Sequence, residues 1–307
     1  MFSVEKVGGV IILNWNHDMI MDIIKRGLKE DLGTGDMTTD SVVPEEHVSE
    51  AYITAKEEGV VAGLPLADKI FKYIDSNLHF EMLKKDGDKV EFGDHLAKIT
   101  GSTRSILKAE RMSLNFLQRM SGIATKTAHY KNLVKDYDVR IVDTRKTTPG
   151  LRILEKYAVK IGGGDNHRMG LYDAVMIKDN HIEAAGDIQT AVEKARKAIP
   201  HTMKIEVEVE DLDGVKESLE AGADIIMLDN MTNDVRKKAV EMMDSRAIAE
   251  ASGGITEETI AGVAASGVDV ISLGTLTHTI KSLDISLNIN PQKIENLVSQ
   301  DKMMGRH

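Results

Sequence analysis

The sequence predicts an α/β protein in which an open, incomplete barrel of parallel βα units follows an N-terminal module of mixed helices and strands. Three observations predict it. After Val139 short β-rich runs alternate with helix-length amphipathic segments, the pattern of βαβ units and a parallel sheet. Polar, chemistry-bearing residues follow one strand end after another, as they do at the carboxyl face of a parallel barrel. The units cover roughly 140 residues, short of the ~250 of a closed eightfold barrel, so closure is not expected.

The first half is taken in order. The apolar run Val10–Leu13 is too short for a signal core and has no cleavage pattern after it. An amphipathic helix is expected over Met19–Glu30, then turn-rich chain from Leu32 to Asp40. Strand-like runs follow at Ala51–Lys56 and Val60–Ala62, and a helix at Pro65–Ile74. The segment Lys85–Gly101 carries two Gly-Asp pairs, which mark tight turns between short strands. A long helix over Arg104–Asp136, with apolar Ile106, Leu107, Leu114, Leu117 and Met120, links the halves.

In the second half, strands are expected at Val139–Asp143, Ala174–Lys178, Lys204–Val209, Asp224–Leu228, Arg246–Glu250 and Asp269–Leu273. Helices are expected at Ile188–Ala198, Leu212–Ala221, Asn233–Met243 and Glu257–Ala265, with Gly222 and Gly267 as C-terminal caps. The end of the chain, Leu283–Met304, is expected to fold back on the first module.

Composition narrows function. With 307 residues, 39 Lys+Arg against 49 Asp+Glu and a net charge of -10, the chain lacks the cationic face that a nucleic acid or an anionic membrane needs. It has no cysteine, hence no disulfide and no thiolate metal site. No apolar run approaches the ~18 residues that span a bilayer. A soluble, cytoplasmic protein is the expectation.

Against this acidic background the segment Asp143–His181 collects Arg145, Lys146, Arg152, His167, Arg168 and Lys178, which implies a pocket for an anionic small molecule. Guanidinium groups match carboxylate or phosphate with paired hydrogen bonds, and lysine adds a compact charge. Arg145 and Lys146 directly follow a strand. Lys156 and Lys160, on a helical stretch, read instead as a solvated helix face. The run SGGIT (Ser252–Thr256) places Gly253 and Gly254 between strand and helix, where backbone N–H groups can meet phosphate oxygens, and GTLTH (Gly274–His278) repeats the device on the next unit. Either loop alone could be a mere turn; together they favour a phosphate site. GGGD (Gly162–Asp165) lacks the residues of a nucleotide loop and reads as a tight turn or close backbone approach. Glu206 and Glu208 alternate in phase, so both face the barrel interior, and Asp229 closes the next strand. Such carboxylates meet cations, a metal or ribose hydroxyls, three readings left open here. An aldolase using Lys178 as a Schiff-base lysine, or a sensor binding a phosphorylated metabolite, fits the same residues less fully.

The ordered set EDLGTGDMTTD (Glu30–Asp40), AERMSLNFLQRMSGIAT (Ala109–Thr125), the Asp143–His181 block, EVEV (Glu206–Val209), LDN (Leu228–Asn230), SGGI (Ser252–Ile255) and GTLTH resembles the quinolinate phosphoribosyltransferases over nearly the whole chain. That resemblance implies an open parallel βα barrel (residues 121–282) beside an α/β sandwich (residues 1–120, joined by 283–307). It implies phosphoribosyl transfer from phosphoribosyl pyrophosphate to quinolinate, with decarboxylation to nicotinate mononucleotide and with Mg²⁺, in NAD biosynthesis. By the same resemblance Arg111, Arg145, His167, Arg168 and Lys178 bind quinolinate, and Lys146 lies between the substrates. Glu208 and Asp229 lie near ribose and metal, and Ser252, Gly253, Gly254, Gly274 and His278 bind phosphate. A homodimer is implied in which Arg111 reaches the neighbouring site. A related enzyme for another aromatic acid is the alternative within the fold.

Overall fold

The computed structural model describes residues 5–7 and 10–289. The chain forms two compact units: one takes residues up to Ala128, Thr148–Gly163 and the chain from Thr279 on, and the other His129–Thr147 and Gly164–His278.

In the first unit an antiparallel hairpin, β1 (Glu5–Val7) and β2 (Val10–Ile12), precedes helix α1 (Asp18–Leu32). Ile20, Ile23, Ile24 and Leu28 of α1 are buried, the spacing of one helix face. Helix α2 (Met37–Val42) occupies part of the stretch expected to be turns; Asp36 caps it by accepting from the Thr39 amide at 3.0 Å. There follow β3 (Val48–Ala55), β4 (Gly59–Val60), α3 (Leu64–Ile74), β5 (His79–Met82), β6 (Lys89–Val90) and β7 (His95–Ser102). Asp86 is the N-terminal anchor of α3, accepting from the Gly63 and Leu64 amides at 2.8 and 3.0 Å and from the Tyr157 hydroxyl at 2.8 Å. The long α4 (Thr103–Leu133) buries Ile106, Ala109, Leu114, Leu117 and Met120.

Strand β8 (Arg140–Val142) opens the second unit, and α5 (Arg152–Ile161) returns to the first. All seven residues Ile153–Val159 of α5 are buried. Lys156 is therefore not on a solvated face: it is 0% exposed, contrary to expectation, because α5 is covered on all sides. Glu155, 1% exposed, accepts from Arg119 Nε and Nη2 at 2.9 and 2.6 Å and from the Thr148 amide at 3.1 Å, which ties the excursion to α4. Gly162 ends α5 where a β-carbon would lie 2.4 Å from the Ala124 carbonyl oxygen, so GGGD begins with a close helix approach.

The second unit continues with β9 (Val175–Ile177), α6 (Asp179–Ala185), α7 (Ile188–Ala198), β10 (Ile205–Val209), α8 (Leu212–Glu220), β11 (Ile225–Asp229), α9 (Asn233–Met243), β12 (Ile248–Ser252), α10 (Ile260–Ala264), β13 (Val270–Ser272) and α11 (Thr275–His278). Six strands pair in parallel in the order β8-β13-β12-β11-β10-β9, and the end strands β8 and β9 do not pair with each other. This is the open barrel expected. Register sets Glu208 beside Met227 and Met227 beside Glu250, with Asp229 beside Ser252 nearer the carboxyl ends. At the opposite ends Asp224 and Asp269 perform the same task on two crossovers, accepting from the Ile205 and Ala249 amides at 2.7 and 2.8 Å. Finally β14 (Ile285–Asn288) adds to the first unit, giving an antiparallel sheet in the order β14-β3-β7-β5. The fold-back expected of the chain end is thus present at β14; its remainder from residue 290 lies outside the described residues. No helix among the described residues is long and apolar enough to cross a membrane.

Candidate active site

A cavity of about 630 Å³ opens at the carboxyl ends of the parallel strands. Its lining includes Arg145, Lys146, His167, Arg168, Lys178, Glu208, Asp229, Ser252, Gly253 and Gly254, so most of the residues singled out in the sequence converge on one place. Five cationic or potentially cationic groups meet two carboxylates there, within a chain of net charge -10.

Each side chain is placed by its element. Arg145 and Lys146 follow β8. The Lys146 amide donates to Thr144 Oγ1 at 3.0 Å, and its carbonyl accepts from Thr277 Oγ1 at 2.9 Å, which joins the β8 loop to α11. A β-carbon at Gly274 would lie 2.9 Å from Lys146 Cδ and 3.1 Å from His278 Cδ2, so the glycine makes room for the lysine stem. Gly274 and His278 thus back Lys146 and are not part of the cavity lining.

Asp143, fully buried, accepts from the His167 amide at 2.9 Å and from Asn166 Nδ2 at 2.6 Å, and so fixes the segment that carries two of the cations. Arg168 donates from Nη1 to the Ala174 carbonyl at 3.1 Å. Burial, and then the neighbouring Arg145, lower its pKa from the ordinary arginine value. His167 Nε2 lies 3.2 Å from Glu206 Oε2 and 3.4 Å from Glu250 Oε1. Burial pushes the imidazole pKa down, but the two carboxylates more than offset this and it is raised to about 10. The Arg168 amide also lies 2.8 Å from His167 Nδ1 and donates to it when the ring is neutral, a form whose proton is then on Nε2. Glu206 is pushed up by its burial.

Lys178 closes β9 and its ammonium is ion-paired with Glu208. Glu208 and the deeper Glu206 point to the same side of the sheet, Glu208 paired with Lys178 and Glu206 facing His167. Asp229 Oδ2 accepts from Asn230 Nδ2 at 2.7 Å. Asn230 has φ +52, an uncommon left-handed conformation for a non-glycine residue, and its amide donates to the Ser252 carbonyl at 3.1 Å. That brings its side chain against the glycine loop. A β-carbon on Gly253, whose φ is +82, would lie 2.3 Å from Asn230 Oδ1, so both conformation and space require glycine.

Arg111 is exposed on α4 and Arg152 lies on α5, both in the first unit, and neither lines the cavity. Thr144, Met176, Met227, Asn230 and Ser272 do line it and were not among the predicted site residues. Strand period could have found three of them, since Met176, Met227 and Ser272 each sit two positions before Lys178, Asp229 and Gly274.

The arrangement offers charge and directed hydrogen-bond donors to an anion at the β8–β9 side and a glycine-lined backbone loop after β12. The family description "Quinolinate phosphoribosyl transferase, N-terminal domain" matches residues 36–121, and "Quinolinate phosphoribosyl transferase, C-terminal domain" matches residues 123–288. A Bacillus subtilis protein described as a probable nicotinate-nucleotide pyrophosphorylase [carboxylating] is 46% identical over 274 residues, covering 89% of this chain and 94% of that protein. A chloroplastic nicotinate-nucleotide pyrophosphorylase [carboxylating] of Arabidopsis thaliana is 47% identical, covering 88% of this chain and 82% of that protein. Among solved structures, NadC from Streptococcus pyogenes superposes with a TM-score of 0.87 at 42% identity, covering 91% of this chain and 98% of that one. On its sequence, its two matched domains and its fold, the chain belongs to the quinolinate phosphoribosyltransferase family.

Proposed function

We propose that the protein transfers a phosphoribosyl group from phosphoribosyl pyrophosphate to quinolinate and releases carbon dioxide, forming nicotinate mononucleotide for NAD biosynthesis. The observation that carries this reading is the two-part cavity. Arg145, His167, Arg168 and Lys178 suit a dicarboxylate, while Ser252, Gly253 and Gly254 suit a phosphate, within one space of about 630 Å³.

Guanidinium and ammonium groups on the β8–β9 side hold both carboxylates of quinolinate and aim its ring nitrogen at the ribose, which removes the entropy of the encounter from the chemical step. As pyrophosphate leaves, positive charge develops on the ribose C1 and ring oxygen, and Glu208 or Asp229 stabilises it. Lys146, backed by Gly274, meets the negative charge gathering on the leaving group. Nitrogen attack quaternises the pyridine, and the cationic nitrogen stabilises the electron pair left on C2 as its carboxylate departs as carbon dioxide; C2 then takes a proton from water to give nicotinate mononucleotide. Glu208 and Asp229 present carboxylate oxygens at the cavity wall, the hard donors that Mg²⁺ takes together with substrate phosphate. A Mg²⁺ held by these two residues would supply charge neutralisation for the pyrophosphate.

The reading includes a homodimer in which the partner's Arg111 completes the quinolinate site. Its support is that Arg111 is exposed and lies outside the cavity lining of its own chain. The deciding assay is release of labelled carbon dioxide from carboxyl-labelled quinolinate. Release that depends on phosphoribosyl pyrophosphate is the expected result; binding of both compounds without turnover by folded protein would replace the enzyme with a sensor.

A further inference from the structure

Two carboxylates of the barrel interior have no part in the chemistry just described. Glu206 on β10 and Glu250 on β12 are 2% and 3% exposed and line no part of the cavity, yet both face the Nε2 atom of His167, which does. Among the described residues Glu206 Oε1 and Glu250 Oε1 are buried oxygens with no hydrogen-bond partner, so Glu250 meets the imidazole as an ion-pair contact only. A pair of buried carboxylates is expensive to keep unless it performs a task on a charged or polar neighbour. The neighbour here is held at both nitrogens: Nε2 by the carboxylates at 3.2 and 3.4 Å, and Nδ1 by the Arg168 amide at 2.8 Å. The ring cannot turn without losing one set. Because Nδ1 is tied to the Arg168 backbone, whatever fixes the ring also fixes the turn from which the Arg168 guanidinium projects.

We infer that Glu206 and Glu250 are positioning residues that clamp His167 from beneath and, through it, set the placement of Arg168, so that they govern affinity for the aromatic dicarboxylate without touching it. This inference rests on the proposed function for the identity of that ligand. The same three side chains bring ligating atoms within 4.8 Å of one another, which suggests a metal site as the rival. The charges around the trio disfavour it. Arg168 stands close enough to act on Glu206, and His167 faces both carboxylates, so the negative charge that would draw a divalent cation is already partly balanced by this chain's own cations.

The test uses the full-length enzyme and equilibrium binding of quinolinate and of phosphoribosyl pyrophosphate, measured separately. Glu206→Gln is expected to weaken quinolinate binding roughly tenfold, the size of a coupling between contacting groups, and to leave phosphoribosyl pyrophosphate binding unchanged. In a His167→Ala background the same substitution should add nothing, since the effect passes through the imidazole. Glu250→Gln carries the same test at the longer contact should Glu206→Gln fail to fold. Equal loss for both substrates, additivity with His167→Ala, or a stoichiometric divalent metal that Glu206→Gln expels would each overturn the clamp. A slowly exchanging imidazole N–H resonance, present in the parent and lost in Glu206→Gln, reports the clamp independently of any ligand. Absence of quinolinate binding by the parent protein would therefore defeat the proposed function while leaving this signal to judge the clamp.

Discussion

At the scale of single residues, Lys146 and Gly253 are the positions where a side chain and its absence matter most. The Lys146 stem runs along Gly274 and its carbonyl is tethered by Thr277, so the ammonium is delivered by a rigid loop. Replacing it with alanine is expected to lower kcat and kcat/KM by a factor on the order of 10²–10³, the loss seen when one preorganised electrostatic group is removed. Steady-state kinetics check this, and an effect confined to KM would assign Lys146 to binding alone. At Gly253 a methyl group meets Asn230 and a left-handed backbone at once, so Gly253→Ala should weaken phosphoribosyl pyrophosphate while sparing quinolinate, as separate binding titrations would show. His167 supplies a pH prediction. Its pKa is raised from 6.5 to about 10, so the folded protein keeps this proton through neutral pH and loses it as pH rises through about 10, while the stability it contributes is fully present below 6.5. Quinolinate affinity should accordingly stay level through neutral pH and fall on the alkaline side; a midpoint near the ordinary histidine value would contradict it.

At the scale of elements, α5 is the piece that the sequence misrepresents. Its lysines Lys156 and Lys160 suggest a helix lying on the surface, but nothing in local spacing reveals that the chain leaves the barrel there and is buried against α4. Burial of charge is legible only once the partner is known, and the partner of Glu155 is Arg119, 36 residues earlier. Removing one member of a buried pair leaves the other uncompensated, so Arg119→Ala should destabilise the protein by about 3–5 kcal/mol in urea unfolding. Adding Glu155→Gln should recover part of that loss; equal stability of Arg119→Ala and the parent would show the pair to be unimportant. The strands were easier to read. Period two on KIEVEV placed Glu206 and Glu208 on one face, and helices α7 and α9 begin and end where capping and periodicity put them. Helix α6 was not legible because Asp179, Asn180 and His181 resemble a loop, and its cap, His181 Nδ1 accepting from the Lys178 amide at 3.0 Å, uses a residue type uncommon in that role. Asp143, which fixes the His167 segment, was hidden for the reason that applies to Glu155: its value lies in backbone amides 24 residues away.

At the scale of the whole molecule, the sequence places one quinolinate-binding candidate where its own cavity does not use it. Arg145, His167, Arg168 and Lys178 come from the segments that join and follow β8 and β9, the two end strands of one parallel sheet, and that is why strand ends alone could gather them. Arg111 comes from the N-terminal third of α4, in the other unit, and its side chain is exposed. An exposed arginine with a surface role would tolerate alanine with a change within about 0.5 kcal/mol in stability and none in turnover. An arginine completing a neighbour's site would lose quinolinate turnover with stability intact. Complementation separates these outcomes, because a symmetric dimer uses the same surface twice. In a mixed dimer of Arg111→Ala and Lys146→Ala protomers, one cavity has Lys146 and receives an intact Arg111, while the other has lost both. With random exchange half the dimers are mixed and half of their sites are whole, so activity should recover to about a quarter of the parent level. Recovery should appear only after subunits exchange and should stop when they are cross-linked beforehand. Mixtures that stay inactive under proven exchange would put Arg111 and Lys146 in the same site of one chain.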